Sequence, residues 1–446
     1  MKQSPSRFVT RCTAVLSFAP LMLVPASSAE IDPALFEQLQ KQVQALTQEV
    51  ERLKEGPAKA ESSSVTDGFF KSKGLTVGFY GEAKYRFPES GANAFDAHRY
   101  VLSPSYAIND WLVFNSELEF EHGGMDETSG TTGNGTQRSR FDGEIEIEQF
   151  YVDILLSPYF NVRSLGIDLV PVGRINKHHE PTTFYSTERP ELYREIIPST
   201  WFEPSVGVFG KIVEGLGYQL MVSSGMEDAI AGSTSVGINA ANGMRGARPR
   251  MRRAEENNLA YSGRLHYTGI QGFDASSSFY VTQVKGFERR SSTVALFDVE
   301  ASYRIPKTGL ELRGDFAYWH IDAPENLLAN NNASATDNVG GRMFGWYVEA
   351  AYHFWPDAFR HGKGSEMDFV PFIRFSQIVT QDDLESGTEL DNGSTNKDFL
   401  TLGAAWLLNP NFVLKADYRR NLDGTAATER SESNQDYFQV GAGVFF

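Results

Sequence analysis

Residues 75–87 read Leu75-Thr76-Val77-Gly78-Phe79-Tyr80-Gly81-Glu82-Ala83-Lys84-Tyr85-Arg86-Phe87. Leu75, Val77, Phe79, Ala83, Tyr85 and Phe87 alternate with Thr76, Tyr80, Glu82, Lys84 and Arg86. A period of two puts successive side chains on opposite faces of a β-strand, so one face here is apolar and the other charged. The last residues repeat the pattern, with Phe438, Val440, Ala442, Val444 and Phe446 set against Tyr437, Gln439, Gly441 and Gly443. Between these two segments the alternation marks fourteen more strands. Their cores lie near Phe95–Ile108, Trp111–Glu121, Gly143–Leu156, Phe160–Ile175, Ser205–Ile212, Tyr218–Gly225 and Leu259–Thr268. The others lie near Phe273–Lys285, Val294–Ile305, Leu310–Ile321, Met343–Trp355, Phe369–Ile378, Phe399–Leu408 and Phe412–Leu422. Ile147 and Tyr151 do not keep one phase, which predicts a β-bulge near Gln149.

The connections decide between a soluble sandwich and a membrane barrel. Mostly short turns, such as Asn109-Asp110, Gln271-Gly272 and Asn409-Pro410-Asn411, alternate with longer polar loops. The loops are residues 88–94, 122–142, 176–204, 226–258, 286–293, 322–342, 379–398 and 423–435. Strict alternation around an even number of strands predicts a 16-stranded antiparallel transmembrane β-barrel, all-β in class, with turns periplasmic and loops outside. A sandwich has no reason to segregate its long loops in this way. Tyr85, Phe87, Trp111, Phe120, Tyr267, Trp355 and Tyr418 near strand ends suit interfacial aromatic girdles.

Composition agrees. The 446 residues include 32 Phe, 18 Tyr and 6 Trp, and 40 Gly. No run approaches the roughly 18 consecutive apolar residues of a membrane-spanning helix. The formal charge of −16 speaks against nucleic acid as a partner, which calls for a basic surface. A single cysteine, Cys12, excludes a disulfide scaffold.

Residues 1–29 carry the marks of a secretory signal: Lys2, Arg7 and Arg11, then an apolar stretch from Ala14 to Val24, then Ser27-Ser28-Ala29 before the expected cut. Its removal takes three positive charges, and the formal charge becomes −19. In residues 30–56, Phe36, Leu39, Val43, Leu46, Val50 and Leu53 recur at heptad spacing and predict a short periplasmic coiled-coil helix. Residues 57–73 read as a linker and 74–446 as the barrel.

Residues 170–210 contain His179-Glu180-Pro181, Phe184-Tyr185, Arg189-Pro190-Glu191, Ile197-Pro198-Ser199-Thr200-Trp201 and Val206-Gly207-Val208-Phe209-Gly210. This run resembles the phosphate-selective porin O/P family. The coiled coil before the barrel resembles a subset of those porins whose relatives pass dicarboxylates. The resemblance implies a homotrimeric channel in the outer membrane of a Gram-negative bacterium, with its third loop, residues 176–204, folded inward.

Strand parity turns Lys84, Arg86, Arg264, Arg304, Arg313, Arg374, Lys415 and Arg419 toward the lumen. It does the same for Glu117, Glu119, Glu121, Glu144, Glu146 and Glu148, so a basic wall stands beside an acidic ladder. A low-dielectric wall around water focuses such a field. On the third loop Lys177, His179, Glu180, Arg189 and Arg194 are candidates for the constriction. Adjacent His178 and His179 with Glu180 lack a third spaced His or Cys, so no metal is expected there. Arg245, Arg248, Arg250, Arg252 and Arg253 crowd the loop at 226–258, where they either meet lipopolysaccharide phosphates and anionic solutes or form a solvated loop.

No nucleophile elbow, Walker motif, HExxH or dinucleotide fingerprint occurs, and neither a catalytic residue nor a cofactor is expected. The expected function is passive diffusion of small hydrophilic solutes. The alternatives are a non-conducting structural or adhesive barrel, or a barrel hydrolase. Loop charges are screened beyond about 8–10 Å, whereas lumen charges are screened much less, so a modest preference for phosphate-like or carboxylate anions is expected despite the acidic total. On the sequence alone, neutralising Arg313 with Arg374 is expected to move the reversal potential toward cations.

Overall fold

The computed structural model describes residues 74–123, 143–228, 237–240, 242–249, 258–286, 290–327, 339–384, 395–422 and 434–446. The signal segment, the heptad seam Phe36–Leu53, the linker, and Arg250, Arg252 and Arg253 lie outside the described residues.

Sixteen strands follow in order. They are β1 Leu75–Pro88, β2 Ala94–Asn109, β3 Leu112–Glu121, β4 Ile145–Leu155, β5 Asn161–Leu169, β6 Phe202–Val213, β7 Leu216–Ser224 and β8 Leu259–Ile270. The second half comprises β9 Phe273–Lys285, β10 Ser291–Arg304, β11 Leu310–Ile321, β12 Arg342–Tyr352, β13 Asp368–Asp382, β14 Asn396–Asn409, β15 Phe412–Asn421 and β16 Tyr437–Phe445. Each strand pairs antiparallel with its neighbours in sequence, and β16 returns to β1, so the sheet closes. Closure leaves no unpaired edge, the condition for crossing hydrocarbon with strands.

The apolar face points outward all the way round. Phe95, Phe297 and Val348 are 62, 50 and 55% exposed. A continuous apolar surface of this kind is the face a bilayer core accepts. Among the described residues no helix is long and apolar enough to cross a membrane.

Several register shifts adjust the phase of the inner face, two of them around β1–β4. Glu117 pairs with Gln149 and Leu118 with Ile147, so Glu148 is the extra residue, beside the predicted position. A second, unpredicted bulge lies in β2. There Glu82 pairs with Arg99 and Lys84 with Asp96, so Ala83 alone faces both Ala97 and His98. His98 and Arg99, consecutive in sequence, therefore both border the interior.

The fifth strand stops at Leu169, not at Ile175 as its apolar run suggested. Gly173 has φ +68°, and residues Arg174–Lys177 form a helical turn. A Cβ at Gly173 would lie 2.6 Å from the Tyr193 ring, so the chain turns here only as glycine. Val170, Val172 and Ile175 are apolar because the segment is buried, not because it is a strand.

The whole connection from Val170 to Trp201 packs inside the barrel. Asn176 ties its ends, donating to the Val170 carbonyl at 2.9 Å and accepting from the Trp201 N–H at 2.7 Å. Leu192, Tyr193, Ile196, Ile197 and Trp201 join a buried cluster with Tyr280, Trp319, Met343 and Tyr347 of the wall. Gly345 of β12 opens room for this contact, since a Cβ there would lie 2.9 Å from Leu192 and 3.0 Å from Ile196. The Trp319 indole N–H also donates to the Ile196 carbonyl at 2.8 Å. Trp319→Ala is expected to remove about 3–5 kcal/mol through the cavity it leaves. Denaturant unfolding should register that loss while circular dichroism still reports the strands.

Candidate functional site

Most of the inward cations hold the loop. Arg374, 1% exposed, donates to Ser186 Oγ at 2.8 Å and to Glu349 at 3.2 Å, with Glu191 at 3.7 Å. Arg313 donates to Glu311 at 2.5 Å and to the Thr183 carbonyl at 3.0 Å, and its guanidinium lies 4.0 Å from the Tyr185 ring centre. Lys415 donates to the Ser186 carbonyl at 2.9 Å and covers the Phe184 ring at 3.6 Å. Arg264 pairs with Glu300, which also accepts the Arg174 backbone N–H at 2.6 Å and the Tyr193 hydroxyl at 3.1 Å. Arg304 is a rim residue, half-exposed beside a short turn and 3.7 Å from Asp368. Arg313 and Arg374 thus correct the sequence expectation of freely exposed filter charges: both are buried in loop-to-wall contacts.

Lys84 and Arg86 reach Glu188 of the loop at 2.7 and 2.6 Å. Burial, the largest influence, raises the Glu188 pKa, but these two cations outweigh it and hold the carboxyl well below its usual range. Arg419 donates to the Gln435 carbonyl at 2.9 Å and lies 4.3 Å from the Tyr437 ring centre.

On the acidic side, Glu117, Glu119 and Glu148 are buried, Glu121 and Glu146 border a cavity, and the Glu144 carbonyl accepts the Glu121 N–H at 2.9 Å.

The loop leaves one side of the bore open. Between β1–β3 and loop residues 184–200 lies a cavity of about 400 Å³. Lys84, Arg86, Arg99, Arg189 and Arg194 face it, together with Glu82, Asp96, Glu121, Glu146 and Glu188. Glu82 is engaged by Arg99 at 2.7 and 2.5 Å. Arg189 donates to Thr200 Oγ1 at 3.0 Å, while its Nε and Nη2 have no hydrogen-bond partner. Burial and then neighbouring Arg99 bring its pKa down to about 10, so it stays charged at neutral pH. Arg194 is exposed on the cavity side of the loop. Arg248, from the following long loop, donates to the Ser199 and Thr200 carbonyls at 2.5 Å and braces this segment.

A second cavity, about 430 Å³, opens at the short-turn end. Among the described residues Arg163, Lys177, Lys211 and Arg264 line it with His178 and His266, Arg163 being paired with Asp153 and Asp168 and Arg264 with Glu300. His179 does not face either space. Its Nδ1 donates to the Asn176 carbonyl at 3.1 Å and its Nε2 accepts from Tyr80 at 2.7 Å. The Glu180 carbonyl accepts from Thr183 and closes a turn.

Sequence reasoning missed Arg99 and Arg163. The β2 bulge reverses parity just before Arg99, and a register shift in β5 follows Arg163. The fault was in assuming unbroken alternation.

No family model matches the chain. An uncharacterized protein of Aquifex aeolicus (strain VF5) is 29% identical over 356 residues, which is 78% of this chain and 76% of that protein. Among solved structures, the outer membrane channel DcaP of Acinetobacter baumannii gives a TM-score of 0.52 at 12% identity, covering 85% of this chain and 99% of that one. OmpF of Salmonella typhi, in complex with daunomycin, gives 0.51 at 13% identity, covering 83% and 97%. These structural neighbours are outer-membrane porins and channels, and the likeness is one of fold.

Removing one partner of a buried, hydrogen-bonded ion pair costs about 3–5 kcal/mol, because the other charge stays buried. Arg374→Met is therefore expected to destabilise the loop by that order, leaving Glu191 and Glu349 only the more distant Arg419 and Arg313 at 3.9 and 3.8 Å. Urea unfolding and protease sensitivity within 170–201 measure it. The Arg313 and Arg374 double change should release the loop and raise conductance, not simply shift selectivity.

Proposed function

We propose that this chain is an outer-membrane porin, a passive diffusion channel for small hydrophilic solutes with a modest preference for anions. The observation that carries the reading is Arg189, a charged guanidinium that lines the main cavity with no carboxylate within ion-pair distance among the described residues, its buried Nε and Nη2 making no hydrogen bond. Charges inside a narrow bore act through a low dielectric, where screening is weak. Phosphate-like and carboxylate-bearing solutes match guanidinium geometry best. The resemblance of residues 170–210 to phosphate-selective porins is consistent with this class.

The functional unit is a homotrimer embedded in outer-membrane lipid and lipopolysaccharide. The signal, coiled coil, linker and barrel follow the boundaries read from the sequence, with the coiled coil in the periplasm. No catalytic role is assigned.

Reconstituted in a planar bilayer, the protein should form open channels whose reversal potential in a salt gradient has the anionic sign. Arg189→Gln with Arg194→Gln should move that potential toward cations. Strong cation preference in the parent, or an unmoved potential in the double variant, would overturn the assignment. Deleting residues 30–56 should weaken the trimer without abolishing it, and native mass measurement of both forms checks this.

A further inference from the structure

β3 and β4 bring four carboxylates to one patch of the inner wall: Glu117 and Glu119 from one strand, Glu146 and Glu148 from the other. Glu119 and Glu146 are direct cross-strand partners, an arrangement that like charges oppose. Glu148, two residues after Glu146, shares its inward face, and the bulge follows it.

Glu148 is 0% exposed, and apart from its contact with the Glu119 carboxyl neither of its oxygens has a hydrogen-bond partner among the described residues. Oε1 of Glu119, a residue 1% exposed, also has none. The donors beside Glu119 and Glu148 among the described residues have other partners. Arg99 gives Nε and Nη2 to Glu82, and its Nη1 stands 3.6 Å from Glu119. Gln149 donates to Glu117. His179 Nε2 stands 3.9 Å from Glu148, beyond hydrogen-bond reach, and is itself hydrogen-bonded to the Tyr80 hydroxyl. Buried carboxylates are otherwise hydrogen-bonded or paired with a cation.

One oxygen from each of Glu119, Glu146 and Glu148 lies within 4.8 Å of the others. We infer that Glu119, Glu146 and Glu148 bind a divalent cation of the calcium class. A set made only of carboxylate oxygens selects a hard ion. Glu119 and Glu146 border the main cavity, so the ion enters hydrated and keeps water on that side. The ion supplies the positive charge that Glu148 otherwise lacks and joins β3 to β4 at the bulge. Arg99 near Glu119 limits affinity, and a dissociation constant of about 10⁻⁴–10⁻³ M is expected, as in open extracellular sites. Binding itself does not depend on the channel reading. Its consequence does: a bound ion neutralises the acidic side of the cavity and strengthens anion preference.

The test is calorimetric titration of calcium chloride into the full-length, chelator-stripped protein in detergent. One saturable site per chain is expected, with a calcium-dependent rise in melting temperature. Glu148→Gln, which keeps the side-chain volume, should lose both. His122→Gln should keep both; it alters the nearby trio Asp96, His98 and His122, whose nitrogen donors suit zinc instead. Absence of saturable binding up to about 10 mM, undiminished binding in Glu148→Gln, or loss in His122→Gln alone would overturn the site. If Glu148→Gln fails to fold, Glu146→Gln serves in its place, and undiminished binding there overturns the site equally. Calcium should also shift the reversal potential of the parent toward anions. Binding without that shift supports the site and overturns its link to selectivity.

Discussion

The docking of residues 170–201 onto the inner wall governs everything else in the barrel. Sixteen strands enclose more space than wall side chains fill. The loop fills one side with a dry contact centred on Trp201, Tyr280 and Trp319, whose rings lie 4.5 to 6.3 Å apart. Around that contact, Lys397 reaches Glu195 at 2.6 Å, and Asp417 accepts both the N–H and hydroxyl of Thr187 at 2.6 and 2.5 Å. Apolar burial supplies the attraction, and the ion pairs and hydrogen bonds fix where the loop comes to rest.

That docking sorts the charges into two classes. Arg264, Arg313, Arg374 and Lys415 become structural, because loop carbonyls and carboxylates close over them. Arg189 and Arg194 ride on the loop and are carried to the cavity. A net charge of −16 therefore says little about the sign of the field that a solute meets. The position of each charge relative to water and to its partner decides that.

The bulges are a second level of control. Each shifts one strand by a residue, and a one-residue shift exchanges inner and outer faces beyond it. In β2 the shift brings Arg99 inside to meet Glu82; in β4 it follows Glu148 and turns Tyr151 and Asp153 to the inner face. The β2 bulge shapes the wall of the cavity, whereas Glu148 at the β4 bulge lies buried beside His179 of the loop.

The architecture was legible from residue order alone. Alternation, loop rhythm and the apolar outer face follow from local backbone geometry and from a solvent that cannot hydrogen-bond, and both write a periodic signal into the chain. Glu121 and Glu146 could be placed near the lumen for the same reason, and Arg189 and Arg194 through the resemblance that implies an inward-folded third loop. The fate of Arg313 and Arg374 could not be read, nor could that of His179. Their partners, Thr183 and Glu311, Ser186 and Glu349, and Tyr80, are brought together by loop docking across up to 188 residues of sequence. Parity determines which way a side chain points; only the tertiary structure decides whether it points at water, at a solute or at the loop that covers it.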